Sequence, residues 1–256
     1  MSVVLETFSL CRNFSGIVAT NNVSLRIDAG ARHALIGPNG AGKTTLINLL
    51  TGVLAPSSGR IALEGEDITA LPPHRRVRKG LVRTFQICQL FPHLTPLETV
   101  SIGVSERHGL GRRFWNALGR RGEVMDESEA LLEKFRLADI MHQRAGTLPY
   151  GKRRLMEIAL ALAARPRVLL LDEPVAGVPE TERDEILETM AALPDSVTIV
   201  LIEHDMDIVF NFAKRMSVLV NGALFAEGTP AEIAHDPRIK AVYLGEDPVP
   251  GHTHHG

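Results

Sequence analysis

Residues 37–44 read GPNGAGKT, which satisfies the spacing GxxxxGKT and lies between an apolar run at 31–36 and a helical pattern over 43–51. Such a loop works only at the end of a strand and the start of a helix, so it commits the chain to an α/β layered core. Gly37, Gly40 and Gly42 let the backbone curl until successive N–H groups point inward, with the helix N-terminus behind them. That cradle suits phosphate oxygens. Lys43 has the reach for the β and γ phosphates of a nucleotide, and Thr44 offers a hydroxyl to Mg2+, a cation that prefers oxygen ligands. Nucleotide contacts are therefore expected from Gly37, Pro38, Asn39, Gly40, Ala41, Gly42, Lys43, Thr44 and Thr45.

The other half of a nucleotide site is VLLLDE at 168–173, an apolar strand whose end delivers two adjacent carboxylates. Asp172 is expected to hold Mg2+ through water, and Glu173, standing further out, to orient or deprotonate the attacking water. The guanine-reading NKxD of small GTPases is absent, and the interval between Lys43 and Asp172 is far longer than theirs.

That interval is filled by helices. Apolar periodicity predicts helical stretches at 97–104, 124–135 and 152–164, with no convincing strand between about 87 and 165. Strand patterns occupy 23–27, 31–36 and 60–63 before it and 168–171, 197–202, 216–220 and 223–226 after it, with a charged helix at 180–192. The division that follows is an α/β core from 1–86 and 166–245, a helical subdomain at 87–165, and a His-containing tail at 246–256.

Composition limits the partners. Lys and Arg number 28 against 30 Asp and Glu, a net charge of −2, so no global field draws the chain to nucleic acid or an anionic bilayer. No apolar run approaches the roughly 18 residues of a spanning helix, the opening MSVVLETFSLCRNF carries no export pattern, and two cysteines, Cys11 and Cys88, fit a reducing compartment. A cytoplasmic location is the expectation.

IGPNGAGKTT, VRTFQ, LPYGKRRLMEIALAL, LLLDEP with its following Ala-Gly pair, LIEHDM and the closing YLGE appear in that order over about residues 8–245. In this ordered set the chain resembles the ATP-binding subunit of ABC transporters, and more narrowly the branched-chain amino acid uptake branch. The resemblance implies a P-loop NTPase core with an antiparallel β subdomain and an inserted α-helical subdomain. It implies an ATPase using ATP and Mg2+, in which Phe14 stacks on adenine (it could equally be a core residue), Gln86 touches Mg2+ and senses the membrane partner, and His204 contacts the γ phosphate. LPYGK at 148–152 aligns with the LSGGQ signature that caps a nucleotide held by the opposite subunit, which assigns Tyr150 and Gly151 to nucleotide binding.

Two departures matter. Pro149 replaces the serine whose hydroxyl would bind the γ phosphate, and proline supplies neither hydroxyl nor N–H. A lost hydrogen bond to a charged group is worth about 1.5–3 kcal/mol, so Pro149→Ser is expected to raise steady-state ATPase turnover about tenfold, and an unchanged rate would refute this. Pro179 stands where the family has an aspartate that communicates across the dimer. Whether Glu180 substitutes is left open.

The resemblance also implies partners: a second ABC ATPase subunit as homo- or heterodimer, transmembrane permease subunits, and indirectly a periplasmic or extracellular solute-binding protein. The chain would lie peripherally on the inner face of the plasma membrane. Nucleic acid is not expected. Between Arg107 and Arg121 five Arg and no acid interleave with Leu110, Phe114, Trp115 and Leu118, an element that faces lipid head groups or a partner, or packs on its own domain. His252, His254 and His255 could ligate a transition metal or do nothing specific. The cargo expected is branched-chain amino acids or a similar small polar solute. The alternatives are a lipid or lipopolysaccharide export ATPase and a soluble ABC ATPase acting on ribosome or DNA.

Overall fold

The computed structural model describes residues 2–84, 91–110 and 121–244. Its strands are β1 (Val3–Phe14), β2 (Ile17–Val23), β3 (Arg26–Asp28), β4 (Arg32–Ile36), β5 (Ser58–Leu63), β6 (Glu66–Asp67), β7 (Leu81–Arg83), β8 (Val168–Asp172), β9 (Thr198–Ile202), β10 (Arg215–Val220) and β11 (Ala223–Gly228). The helices are α1 (Lys43–Thr51), α2 (Pro73–Arg78), α3 (Pro96–Arg107), α4 (Arg121–Lys134), α5 (Tyr150–Ala163), α6 (Glu180–Ala191), α7 (Met206–Phe212), α8 (Pro230–His235) and α9 (Pro237–Leu244).

Two sheets result. One has the order β11-β10-β4-β9-β8-β7, with all neighbours parallel except the β10–β11 hairpin. The other is antiparallel, in the order β2-β1-β5-β6 with β3 also on β1. Strands with both faces covered are apolar throughout, and side chains of period two divide between the faces. Leu169, Leu171, Ile199 and Leu201 enter the core shared with α3, α4, α5 and α6. Val168, Leu170, Val200 and Ile202 enter the core shared with α1, β1 and β5. Met216 and Val218 of β10 pack with Ile233 and Ile239.

Three differences from the sequence reading have local causes. The single strand expected over 23–27 is two, because the Thr7 hydroxyl inserts between them, donating to the Val23 carbonyl at 2.9 Å and accepting the Leu25 N–H at 2.8 Å. The helix expected from Lys152 begins at Tyr150, with Pro149 at its N-cap, where a proline needs no N–H partner. Beyond the expected elements the structure adds β1, β2 before Val23, β6, β7, α2, α7, α8 and α9; apart from the long β1, whose apolar alternation is broken, these are pieces too short for periodicity to register.

α1 ends at Gly52 in the left-handed region, and its last carbonyls are satisfied by a buried guanidinium. Arg76 of α2 donates through Nη1 to the Leu49 and Leu50 oxygens (2.7 and 2.6 Å), through Nε to Leu71 and through Nη2 to Thr69. Arg76→Met removes donors from four carbonyls in the interior, so it is expected to cost about 3 kcal/mol of stability and to lower the thermal midpoint by roughly 8 °C; a shift under 2 °C in a melting scan would refute it.

His33 of β4 is also buried, its Nε2 lying 2.8 Å from Ser217 Oγ. The Ser217 hydroxyl donates to Glu227 Oε1 at 2.7 Å, so the imidazole is the donor at Nε2. Burial, with help from the Arg215 charge and against that of Asp28, pushes the His33 pKa down to about 4. The unfolded chain takes up a proton as pH falls through ~6.5, while the folded chain resists until about 4. This stabilising contribution is therefore complete above pH ~6.5 and is lost on acidification, by about 2 kcal/mol at pH 5. Denaturant unfolding at pH 7.5 and 5 should show that loss in the wild type and a smaller one in His33→Gln.

Candidate functional site

The parallel strands β4, β8 and β9 all end at the same edge of the sheet, where ligands of such folds bind. β4 runs into the glycine loop, β8 into Asp172–Glu173, and β9 into Glu203–His204.

The loop is clasped by backbone from two other places. A methyl at Gly37 would lie 2.2 Å from the Leu219 carbonyl oxygen, and one at Gly42, whose φ is +96, would lie 2.4 Å from that of Ala19. The Gly222 N–H donates to the Ala41 oxygen at 3.0 Å, and Gly222 in turn accepts from Asn21 at 2.7 Å. Glycine is required at both positions by close approach and by φ, which is +152 at Gly37. Lys43 at the start of α1 folds back over the loop, its Nζ donating to the Gly37 oxygen at 2.5 Å and the Pro38 oxygen at 3.1 Å. Its partial burial pushes the ammonium pKa down, opposed by the negative charges of Glu173 and Asp172. Lysine and both carboxylates thus share one electrostatic site. Thr44 is exposed in the first turn of α1.

Asp172 is buried, with one oxygen fixed: Arg83 Nη2 donates to its Oδ2 at 2.6 Å, and Arg83 Nη1 donates to Asn48 Oδ1 of α1 at 2.7 Å. Glu173, one residue on, sits at φ +46, in the left-handed region that a non-glycine residue occupies at a cost of about 1–3 kcal/mol. Its N–H is held by the Ile202 oxygen at 2.9 Å. The strained turn directs Glu173 toward His204, whose Nδ1 lies 3.4 Å from Glu173 Oε1. Behind them is Glu203, 2% exposed, with Oε2 accepting the His204 N–H at 3.1 Å and Oε1 without a hydrogen-bond partner among the described residues. Burial pushes the Glu203 carboxyl up.

Of the residues expected at the site, the structure therefore brings together Lys43, Asp172, Glu173 and His204. Phe14 is not a core residue: it is 38% exposed at the end of β1, with the Arg12 guanidinium 4.6 Å over one face of its ring. β2, which follows at once, is the strand that carries Ala19 to the loop. Tyr150 packs its ring against the helical core and Gly177, with Arg153 and Arg154 5.4 and 5.5 Å from it. Gly151 is buried, and its N–H is taken by Glu182 of α6. Gln86, residues 111–120 and the tail histidines lie outside the described residues; of the basic segment, Arg107 is ion-paired with Glu127.

Sequence reasoning missed Arg83, Glu203 and Glu182. Glu203 carried a legible signal, since TIVLIE ends an apolar strand in an acid just as VLLLDE does. Arg83 and Glu182 carried none, because their partners are remote in sequence.

The arrangement is that of a phosphate cradle facing a pair of acids with an imidazole beside them, which can bind a triphosphate and place water at its last phosphorus. A family model described as "ABC transporter" matches residues 20–176. The high-affinity branched-chain amino acid transport ATP-binding protein BraF of Pseudomonas aeruginosa is 41% identical over 251 residues, spanning 95% of this chain and 98% of its own. LivG of Escherichia coli K12, named for the same transport, is 36% identical over 252 residues, with the same shares covered. Among solved structures, the ADP conformation of MJ1267, an ATP-binding cassette of an ABC transporter, superposes with a TM-score of 0.82 at 32% identity, covering 96% of this chain and 100% of that one. A dimeric post-hydrolysis state of the cassette MJ0796 with ADP and Pi shares the fold at a TM-score of 0.73 and 22% identity, covering 88% and 98%. With the loop, the paired acids and the histidine set at one sheet edge and these likenesses running almost end to end, the chain belongs to the ABC transporter family as one of its ATP-hydrolysing cassettes.

Proposed function

We propose that this cassette powers an importer of branched-chain amino acids or a similarly small polar solute, working as a dimer beneath membrane-spanning permease subunits that receive solute from an external binding protein. The observation that carries the ATPase chemistry is the meeting of Lys43, Asp172, Glu173 and His204 at the ends of β4, β8 and β9. The names of the relatives that span the chain support the cargo. No helix among the described residues is long and apolar enough to cross a membrane, and the proposal gives the spanning part to partners. The working division is a nucleotide core at 1–86 and 166–245, a helical subdomain at 87–165 that carries the signature, and a tail at 246–256.

In this reading the loop amides from Gly37 to Thr45 hold the phosphates, and Lys43 leaves the Gly37 and Pro38 carbonyls for the β and γ oxygens. Phe14 offers the free face of its ring to adenine. The hard oxygens of exposed Thr44 and of Asp172, whose orientation Arg83 fixes, are the donor set Mg2+ prefers; when bound, that ion neutralises phosphate charge. Gln86 is assigned to the same ion as a hinge ligand. Glu173 orients a water and accepts its proton as the new P–O bond forms and the bond to the β-phosphate oxygen breaks, releasing ADP and phosphate. His204 is held by Glu203 through its backbone and steadies Glu173 and the γ phosphate. Tyr150 and Gly151 are assigned to the nucleotide of the other subunit, so on this reading one chain cannot complete its own site.

The test of cargo is uptake. Deleting the gene from its source cell should abolish high-affinity accumulation of radiolabelled leucine, isoleucine and valine, with rescue by the wild type and none by Glu173→Gln. Undiminished uptake of all three would overturn the assignment.

A further inference from the structure

The signature helix α5 begins without a capping side chain, since Pro149 at its N-cap offers neither hydroxyl nor carboxylate. The first N–H groups of a helix need acceptors from elsewhere. One acceptor comes from 31 residues further on: Glu182, in the first turn of α6, accepts the Gly151 N–H through Oε2 at 2.7 Å. The fit leaves no slack, because a methyl at Gly151 would meet that oxygen at 2.4 Å and Glu182 Cβ at 3.0 Å. Gly151 is also the residue assigned above to the nucleotide of the opposite subunit. One N–H has one hydrogen to give, and two anions brought to the same helix start repel each other.

We propose that Glu182 is an internal occupant of the signature helix start, which a γ phosphate presented by the opposite subunit has to displace. The proposal rests on the dimeric reading of the site. It follows from Pro149: with no hydroxyl at the N-cap, a carboxylate from the neighbouring helix takes over the capping and stands where the phosphate is to go. Displacing it releases the first turn of α6, three residues beyond Pro179. Arrival of phosphate at one seam is thereby felt in the stretch where the family carries its communicating aspartate. The carboxylate raises the ATP concentration needed for association.

The experiment uses the full chain with Glu173→Gln to halt hydrolysis, titrated with ATP and Mg2+ while light scattering reports dimer. Glu182→Gln keeps an acceptor for the Gly151 N–H but carries no charge, and it is expected to lower the ATP concentration at half-association about fivefold. Glu182→Ala, which removes the occupant, should lower it about tenfold. A half-point that is unchanged or raised in the Gln variant overturns the proposal and leaves Glu182 as a helix cap; the Gln variant decides should the Ala variant melt early. If the Glu173→Gln reference binds ATP yet stays monomeric at saturation, the dimeric reading falls and the proposal with it, an outcome told apart because it appears before Glu182 is altered.

Discussion

Glu173→Gln is expected to lower ATP turnover about a thousandfold while nucleotide binding persists. The amide keeps the size of the side chain and can still approach His204 Nδ1, 3.4 Å from Oε1 in the wild type, but it cannot take a proton from water. Among the described residues, neither neighbouring acid replaces it. Asp172 has an oxygen committed to Arg83, and Glu203 is buried behind the imidazole with its carboxyl pushed up. The backbone turn at φ +46 is kept, so the variant should fold. If the proposed dimer forms, association then becomes one-way, because ATP gathers it and no hydrolysis dissolves it. Phosphate release under single-turnover conditions and gel filtration with ATP check both halves, and turnover within tenfold of the wild type would remove Glu173 from the role of base.

Lys43→Ala is expected to weaken ATP binding about a hundredfold and to abolish measurable hydrolysis. The negative charges of Glu173 and Asp172 both act on this ammonium at the loop. Without it, a triphosphate approaches two carboxylates with one positive charge fewer to receive it. Adenosine, which lacks phosphates, should bind the variant and the wild type alike, and an equal loss for adenosine would mean that the substitution damaged the fold instead. Calorimetry with ATP, ADP and adenosine separates the cases.

How much of this was legible depends on how far apart the partners lie. The loop, α1 from 43 to 51 and the strand ending in Asp172–Glu173 follow from local rules, because glycine curvature, helical spacing and buried apolar runs are written in neighbouring residues. β4, β9, β10 and β11 were readable for the same reason. The break between β2 and β3 was not, since it depends on a Thr7 hydroxyl reaching across to Val23 and Leu25. Nor was the capping of α1 by Arg76, nor the grip of Arg83 on Asp172, because charged residues inside a fold declare their partners only in three dimensions. The signature shows both sides: Pro149 warned of a missing hydroxyl, but that Glu182 would fill the gap could not be read from the chain.

The backbone clasp around Gly37 and Gly42 has an energetic corollary. Its walls are main-chain atoms of residues 19, 219 and 222, brought in from two distant hairpins, so the mould is cast when the domain folds and not when a guest arrives. Little further ordering entropy is left to spend on docking. The loop backbone should accordingly keep one conformation in the empty and the filled protein, and nucleotide should slow exchange of the loop amides it binds without a folding step.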